Sequence, residues 1–319
     1  MSGLAEQWSA PSTGVRVGGW IAALSVGVAA SVQSFLTAES SQQFGAEQAA
    51  FVMLGVGLVG VGTWSIVSRQ ARVGATRIVS DLRAKRLPWW AVLSGVGGAL
   101  FILCQGIAVE PLGVAVFGMA FLAGQVVGAT LLDAVGASGA RRRPTFVRVA
   151  AGGLAVAGAV VGAVGGEFGA PPLWAVALVL VSGGVAAWVG AASARTLRSA
   201  GRIAPTAAVN FSGGFIAIGL VVLSTGRGLP PLDAFVDPRL LASSLLGIYS
   251  IAAVSVLAAR RGVLELALFT ALGQLVAGMV IDGFSGNALP WTAALGSALT
   301  LSAVVWTAVV SRSAAREVA

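Results

Sequence analysis

Ten stretches of about 20 apolar residues, each long enough to cross a 30 Å hydrocarbon layer as a helix, follow one another along this chain. Their cores are residues 17–35, 49–67, 89–109, 111–134, 146–166, 172–192, 206–225, 240–259, 262–283 and 290–310. A run of this length satisfies its backbone inside lipid only as a helix or as part of a closed barrel. A barrel needs alternating segments of about ten residues, and the sequence has none. The first run has a single basic flank, Arg16, and no small-residue cleavage pattern after Phe35. It therefore reads as a retained helix rather than a signal peptide.

Composition agrees. Of the 319 residues, 57% are hydrophobic and only 10% are charged, with a mean hydropathy of +0.90. Soluble domains carry about 25% charged residues, so this chain lacks the material for a water-facing surface. The net charge of +8 does not point to nucleic acid. The basic residues lie in short clusters between apolar runs and are not interleaved with base-stacking aromatics. The chain has one cysteine, Cys104, and no histidine. No disulfide, thiolate metal centre or histidine-based catalytic triad is expected, and no phosphate-binding glycine motif occurs. Neither a metal nor a cofactor is expected.

Arginine sets the expected topology. Six basic residues (Arg69, Arg72, Arg77, Arg83, Lys85 and Arg86) separate the second and third runs, which reads as a loop. Further clusters follow runs four, six, eight and ten. With Arg16 they place 18 of the 20 basic residues on one side, leaving Arg227 and Arg239 on the other. The positive-inside rule then puts both termini in the cytoplasm of a bacterial inner membrane protein with ten spans.

The fourth and ninth runs repeat one another. GVAVFGMAFLAGQVVGATLLD from Gly113 and GVLELALFTALGQLVAGMVID from Gly262 align without a gap at an offset of 149. The first and sixth also match, GVAASVQ from Gly27 against GVAAWVG from Gly184. The repeating unit is five helices. Because five is odd, the halves run in opposite directions across the membrane, the inverted-repeat plan of many secondary transporters. The expected fold is therefore all-α and integral to the membrane. It comprises a tail at 1–14, repeats at 15–168 and 169–311, and a tail at 312–319.

Trp89-Trp90, Gly95, Gly97, Gly98, the run Gln105-Gly106-Ile107-Ala108, Gly113, Gly124-Gln125 and Asp133 together resemble the YdcZ-like branch of the drug/metabolite transporter superfamily. The segment Ala30 to Gln33 is similar to that family's first helix. The resemblance implies a ten-helix inner-membrane transporter without naming a solute. The second half departs from it, with Gly190 opposite Gln33 and no Trp pair on the eighth helix.

Polar groups inside a bilayer are costly and mark function or packing. Gln125 and Gln274 fall near mid-depth on equivalent helices, where their amides either hold a solute or bond neighbouring carbonyls. Gln33 and Gln105 lie toward the outer ends of their helices and Asn210 toward the inner end of its own; glue or entrance lining is the reading for these. Trp188 is deep enough to line a cavity or pack in the core. Asp133 and Asp282 close their helices at the C-terminal end, where the dipole disfavours an acid. Each needs a cation or water, with Arg141 to Arg143 near Asp133 and Arg227 and Arg239 on the side of Asp282. They are gate candidates or interfacial caps. Glu265 is the one acid within an apolar run, read either as an i,i+4 partner of Arg261 or as a proton-coupling carboxylate. Gly158, Gly162 and Gly166 form a small-residue ridge for packing within the chain, with a homodimer seam as the alternative.

These features favour a secondary transporter of a small solute, export included, working in lipid without nucleic acid. Apolar walls and the lack of buried arginine suit an uncharged or amphipathic solute. A non-transporting membrane subunit is the alternative. An enzyme is disfavoured because the acids are scattered, and a channel because no charged ring or carbonyl filter occurs.

Overall fold

The computed structural model of the chain describes residues 13–136, 145–164, 173–226, 228–261, 263–285 and 291–316. Every regular element among them is helical: α1 (Thr13–Phe44), α2 (Ala46–Val67), α3 (Arg69–Arg83), α4 (Ser94–Val135), α5 (Phe146–Val164), α6 (Leu173–Ala200), α7 (Ile203–Thr225), α8 (Pro238–Arg261), α9 (Val263–Phe284) and α10 (Trp291–Arg316). Short 3-10 turns at Trp89–Leu93 and Leu232–Val236 lead into α4 and α8. Five helices are long and apolar enough to cross a membrane, and four more apolar stretches are shorter in their described part.

The third and fourth runs form one element. At 42 residues, α4 would extend about 63 Å if straight, twice the hydrocarbon thickness. It is broken at Gly113, where φ is 76° and ψ 163°, two residues after Pro111. Only glycine takes this backbone conformation readily. The first arm of α4 precedes the break and the second arm follows it.

The segment between the second and third runs is a helix rather than the loop expected of it. Ser68 caps α3, its Oγ accepting the N–H of Ala71 at 3.3 Å. Ala71, Gly74 and Ile78 are buried on one side of α3, a spacing of three and four residues. The arginines that suggested a loop are exposed on its other side.

Contacts between helices come in reciprocal pairs. A Cβ on Gly27 of α1 would fall 2.0 Å from the Thr270 carbonyl oxygen and 2.5 Å from the Gln274 nitrogen on α9. A Cβ on Gly183 of α6 would fall 2.1 Å from the Phe121 oxygen and 3.0 Å from the Gln125 nitrogen on α4. Phe121 and Gln125 precede Thr270 and Gln274 by the same 149 positions that relate the two aligned helices. Gly27 is thus matched to Gly183, one residue earlier than the sequence alignment to Gly184 suggests. Similarity of GVAA strings set that alignment, whereas packing sets the true register. Leu24 against Gly273 and Leu180 against Gly124 give the same register. Gly57 meets Phe211 while Gly214 meets Leu54, which relates α2 to α7 in the same way.

The glycine ridge of α5 packs within the chain. Gly158 faces Gly296 and Thr300 of α10, and Gly162 faces Met119 and Ala293. Gly166 lies outside the described residues. The largest apolar cluster centres on the second arm of α4, with Phe117, Met119, Ala120 and Ala123 all at 0% exposure.

Candidate functional site

Helical geometry places Ser94, Gly98, Phe101 and Gln105 on one stripe of the first arm of α4, at spacings of four, three and four. The two ends of the stripe are polar. Ser94 donates its hydroxyl to Oδ1 of Asn210 on α7, and Asn210 Nδ2 donates to Ser193 Oγ on α6 at 3.0 Å. About 16 Å further along the arm, Gln105 Nε2 donates to Ser34 Oγ on α1 at 2.8 Å. Gln105 is fully buried and its Oε1 has no partner.

Between these ends the packing opens. Apart from its own stretch of helix, nothing lies within 4 Å of the position a Cβ on Gly98 would take. On the adjacent Gly97 a Cβ would meet Val189, Val185 and, at 3.6 Å, the ring of Trp188. Phe101 stacks in a tilted arrangement on Phe121, with centroids 4.6 Å apart, and sits 6.2 Å from Phe117. Gln33, 7% exposed, lies against Gly247 of α8, whose added Cβ would be 3.6 Å from Nε2. The stripe is therefore bounded by neutral amides, hydroxyls and aromatic rings, and no charged side chain belongs to it.

Gln125 and Gln274 do not join this stripe. Gln274 is 5% exposed at the junction of α1, α4 and α9, and its Nε2 is 3.4 Å from where a Cβ on Gly118 would sit. Its main-chain oxygen accepts the Ser31 hydroxyl at 2.7 Å. Gln125 is half-buried on the second arm of α4, beside α6. The structure thus brings Gln105, Trp188 and Asn210 to the first arm of α4 and sets Gln33 against α8. It places Gln274 in a packed junction and Gln125 on the other arm.

Asp282 has a partner that charge counting did not suggest. Both its oxygens accept main-chain N–H groups, Oδ1 from Val114 and Oδ2 from Ala115, each at 2.8 Å. Arg239, one of the two arginines expected near it, pairs with Asp237 instead. The acid that its own helix disfavours is held by the N-terminus of the second arm of α4, where orphan donors and the dipole both favour an anion. The break at Gly113 creates that N-terminus. The side chains of Asp133, Glu265 and Arg261, and residues 141–143, lie outside the described part.

Two further polar closures join the halves at opposite ends. Asp81, in the last turn of α3, accepts from Ser199 Oγ at 2.7 Å and pairs with Arg86 at 2.8 Å. The Ser199 hydrogen bond, followed by Arg86, holds its carboxyl below the usual range. Asp237 pairs with Arg239 at 2.9 Å, and Arg239 also donates to Gln43 at the end of α1. The Arg239 hydrogen bond holds Asp237 below the usual range as well.

Ser34, Ser94, Ser193 and Phe101 did not stand out in the sequence. Serines and threonines on α1 bond their own preceding turn, as Ser34 to Ala30 and Thr37 to Gln33 do, so they pass as ordinary helix residues. Only the four-three-four spacing on α4 links Ser94 to Gln105.

A family model described as "Putative inner membrane exporter, YdcZ" matches the chain twice, over residues 19–161 and 174–306. No curated protein matches it.

Proposed function

The chain belongs to the YdcZ family of inner membrane exporters, and from this we propose that it is a secondary transporter exporting an uncharged or amphipathic solute along the Gly98 stripe of α4. It is a membrane protein with two repeats, and the family is one of transporters. The open side of Gly98, between two neutral polar ends and beside Phe101 and Trp188, is the observation that carries the assignment. Gln105 Oε1 offers an acceptor without a partner, and aromatic faces offer apolar area. A strongly anionic solute finds no cation there.

On this reading the halves are five-helix inverted repeats crossing the membrane ten times with both termini inside, and they rock about the stripe to expose it to each side in turn. The reciprocal contacts of Gly27 with α9 and Gly183 with α4 support the repeat. Asp282 on the N-terminus of the second arm of α4 acts as the outer gate. The offset of 149 carries Asp282, Val114 and Ala115 onto Asp133, Val263 and Leu264. Asp133 is accordingly assigned the inner gate. Gln125 and Gln274 hold the flanking helix junctions.

The test is uptake into everted vesicles or proteoliposomes of a panel of uncharged amphipathic solutes, fluorescent naphthylamines among them, beside anionic counterparts. Transport of an uncharged member, blocked by Gln105→Leu, supports the assignment. Transport confined to anionic members overturns the solute class.

A further inference from the structure

We propose that α3 is a docking surface for anionic phospholipid headgroups, a role separate from solute passage and resting only on the chain spanning a membrane. α3 has two distinct faces. Ala71, Gly74 and Ile78 pack inward, and a Cβ on Gly74 would fall 2.8 Å from Pro205 and 2.9 Å from the Ala200 oxygen at the α6–α7 turn. At 100° per residue, Arg69, Arg72, Val73, Thr76, Val79 and Arg83 fall on the opposite side.

That outward face mixes cations with apolar groups. Val73 and Val79 are each 47% exposed between the arginines. The headgroup layer accommodates both kinds of side chain. Depth is fixed independently. Trp64, one turn before α3, is 50% exposed and Trp89, just after it, is 69% exposed. Exposed tryptophans at helix ends settle at the membrane–water interface, so α3 lies between two such anchors.

Charge selects the occupant. The acid of this segment, Asp81, is taken by Arg86 and Ser199. Arg69, Arg83 and Lys85 form no ion pair with another described residue. A surface with free guanidinium and ammonium groups beside apolar patches is complementary to phosphatidylglycerol and not to a zwitterionic lipid.

The experiment is native mass spectrometry of the full-length protein titrated with phosphatidylglycerol and, separately, phosphatidylcholine. Wild type is expected to retain phosphatidylglycerol in preference. Arg69→Gln with Arg83→Gln and Lys85→Gln should lower that preference about tenfold or more. The charge-keeping variant R69K/R83K should hold it. Arg72 stays unchanged because it also donates to the Ile66 carbonyl at the end of α2. Raising ionic strength gives a check that needs no variant, since it should weaken retention by wild type. No preference in wild type, or an unchanged preference in the glutamine variant, overturns the proposal.

Discussion

Asp282 at the end of α9 caps the helix that begins at Val114: its two oxygens each accept one main-chain N–H, from Val114 and Ala115, at 2.8 Å. The contact joins residues 168 positions apart and ties the two halves of the chain directly. A helix capped by its own sequence needs a residue just before its start. Here that position is Gly113, which has no side chain, and the cap arrives from another helix.

Removing the cap should cost stability. Asp282→Ala leaves two main-chain donors without the carboxylate and is expected to destabilise the folded chain by about 1–3 kcal/mol. Asp282→Asn keeps one acceptor oxygen and should fall between. Gly113→Ala should destabilise too, because φ is 76° and the added Cβ would approach Asp282 Oδ2 to 3.0 Å. Thermal unfolding in detergent checks all three, and wild-type behaviour of Asp282→Ala would show that the cap contributes nothing.

The reciprocal packing makes a paired prediction. Gly27→Leu and Gly183→Leu push a side chain into main-chain atoms of α9 and α4 respectively, at 2.0 and 2.1 Å. Neither helix has room to accept it, so both variants should accumulate poorly or unfold early, and to similar degrees. A large difference between them in unfolding temperature would break the equivalence of Gly27 and Gly183.

The Asp237–Arg239 closure should show in the acid limb of the stability profile. Asp237 is held below its ordinary carboxylate value, so in the folded chain it stays ionised where the unfolded chain has begun to bind a proton. Its contribution is complete above the unfolded value of about 3.9 and is lost as pH falls through the lower folded value. Asp237→Asn should reduce stability at neutral pH and flatten the profile in that acid window. Chemical unfolding of both forms between about pH 2 and 6 measures it. An acid limb of unchanged slope in Asp237→Asn would count against the pairing.

Much of the fold is legible in the residues. Apolar runs reveal helices because lipid leaves the backbone no other partner. The repeat is visible in Gly124-Gln125 and Gly273-Gln274, whose glycines meet Leu180 and Leu24 in matching register. Three things escaped the sequence for identifiable reasons. The α3 helix was hidden because arginines dominate it and only Ala71, Gly74 and Ile78 carry its inward face. The partner of Asp282 was hidden because a main-chain N–H leaves no mark on composition. The stripe on α4 was hidden because its defining residue, Gly98, matters for what is not beside it. Gln105 was legible as a polar residue in an apolar run, while its partner Ser34 was not.

Gln105 and Asn210 separate two parts of the solute account. Gln105→Leu removes the unpartnered acceptor along with one bond to Ser34, and should lower transport at least about tenfold with little loss of stability. Asn210→Leu breaks the link to both Ser94 and Ser193, so stability should fall together with transport. Solute uptake and unfolding temperature measured on both variants distinguish the two patterns, and a Gln105→Leu protein that transports normally would remove Gln105 from the site.

The most direct test is transport by Gly98→Leu, with Gly98→Ala as its smaller companion. Apart from its own stretch of helix, nothing lies within 4 Å of the position of the new Cβ, so the side chain enters open space and should leave insertion and unfolding temperature near wild type. It also occupies the part of the stripe assigned to the solute. The expected result is a folded protein whose uptake of uncharged amphipathic solutes in proteoliposomes is lost with leucine and reduced with alanine. A folded Gly98→Leu protein that transports at the wild-type rate would contradict it.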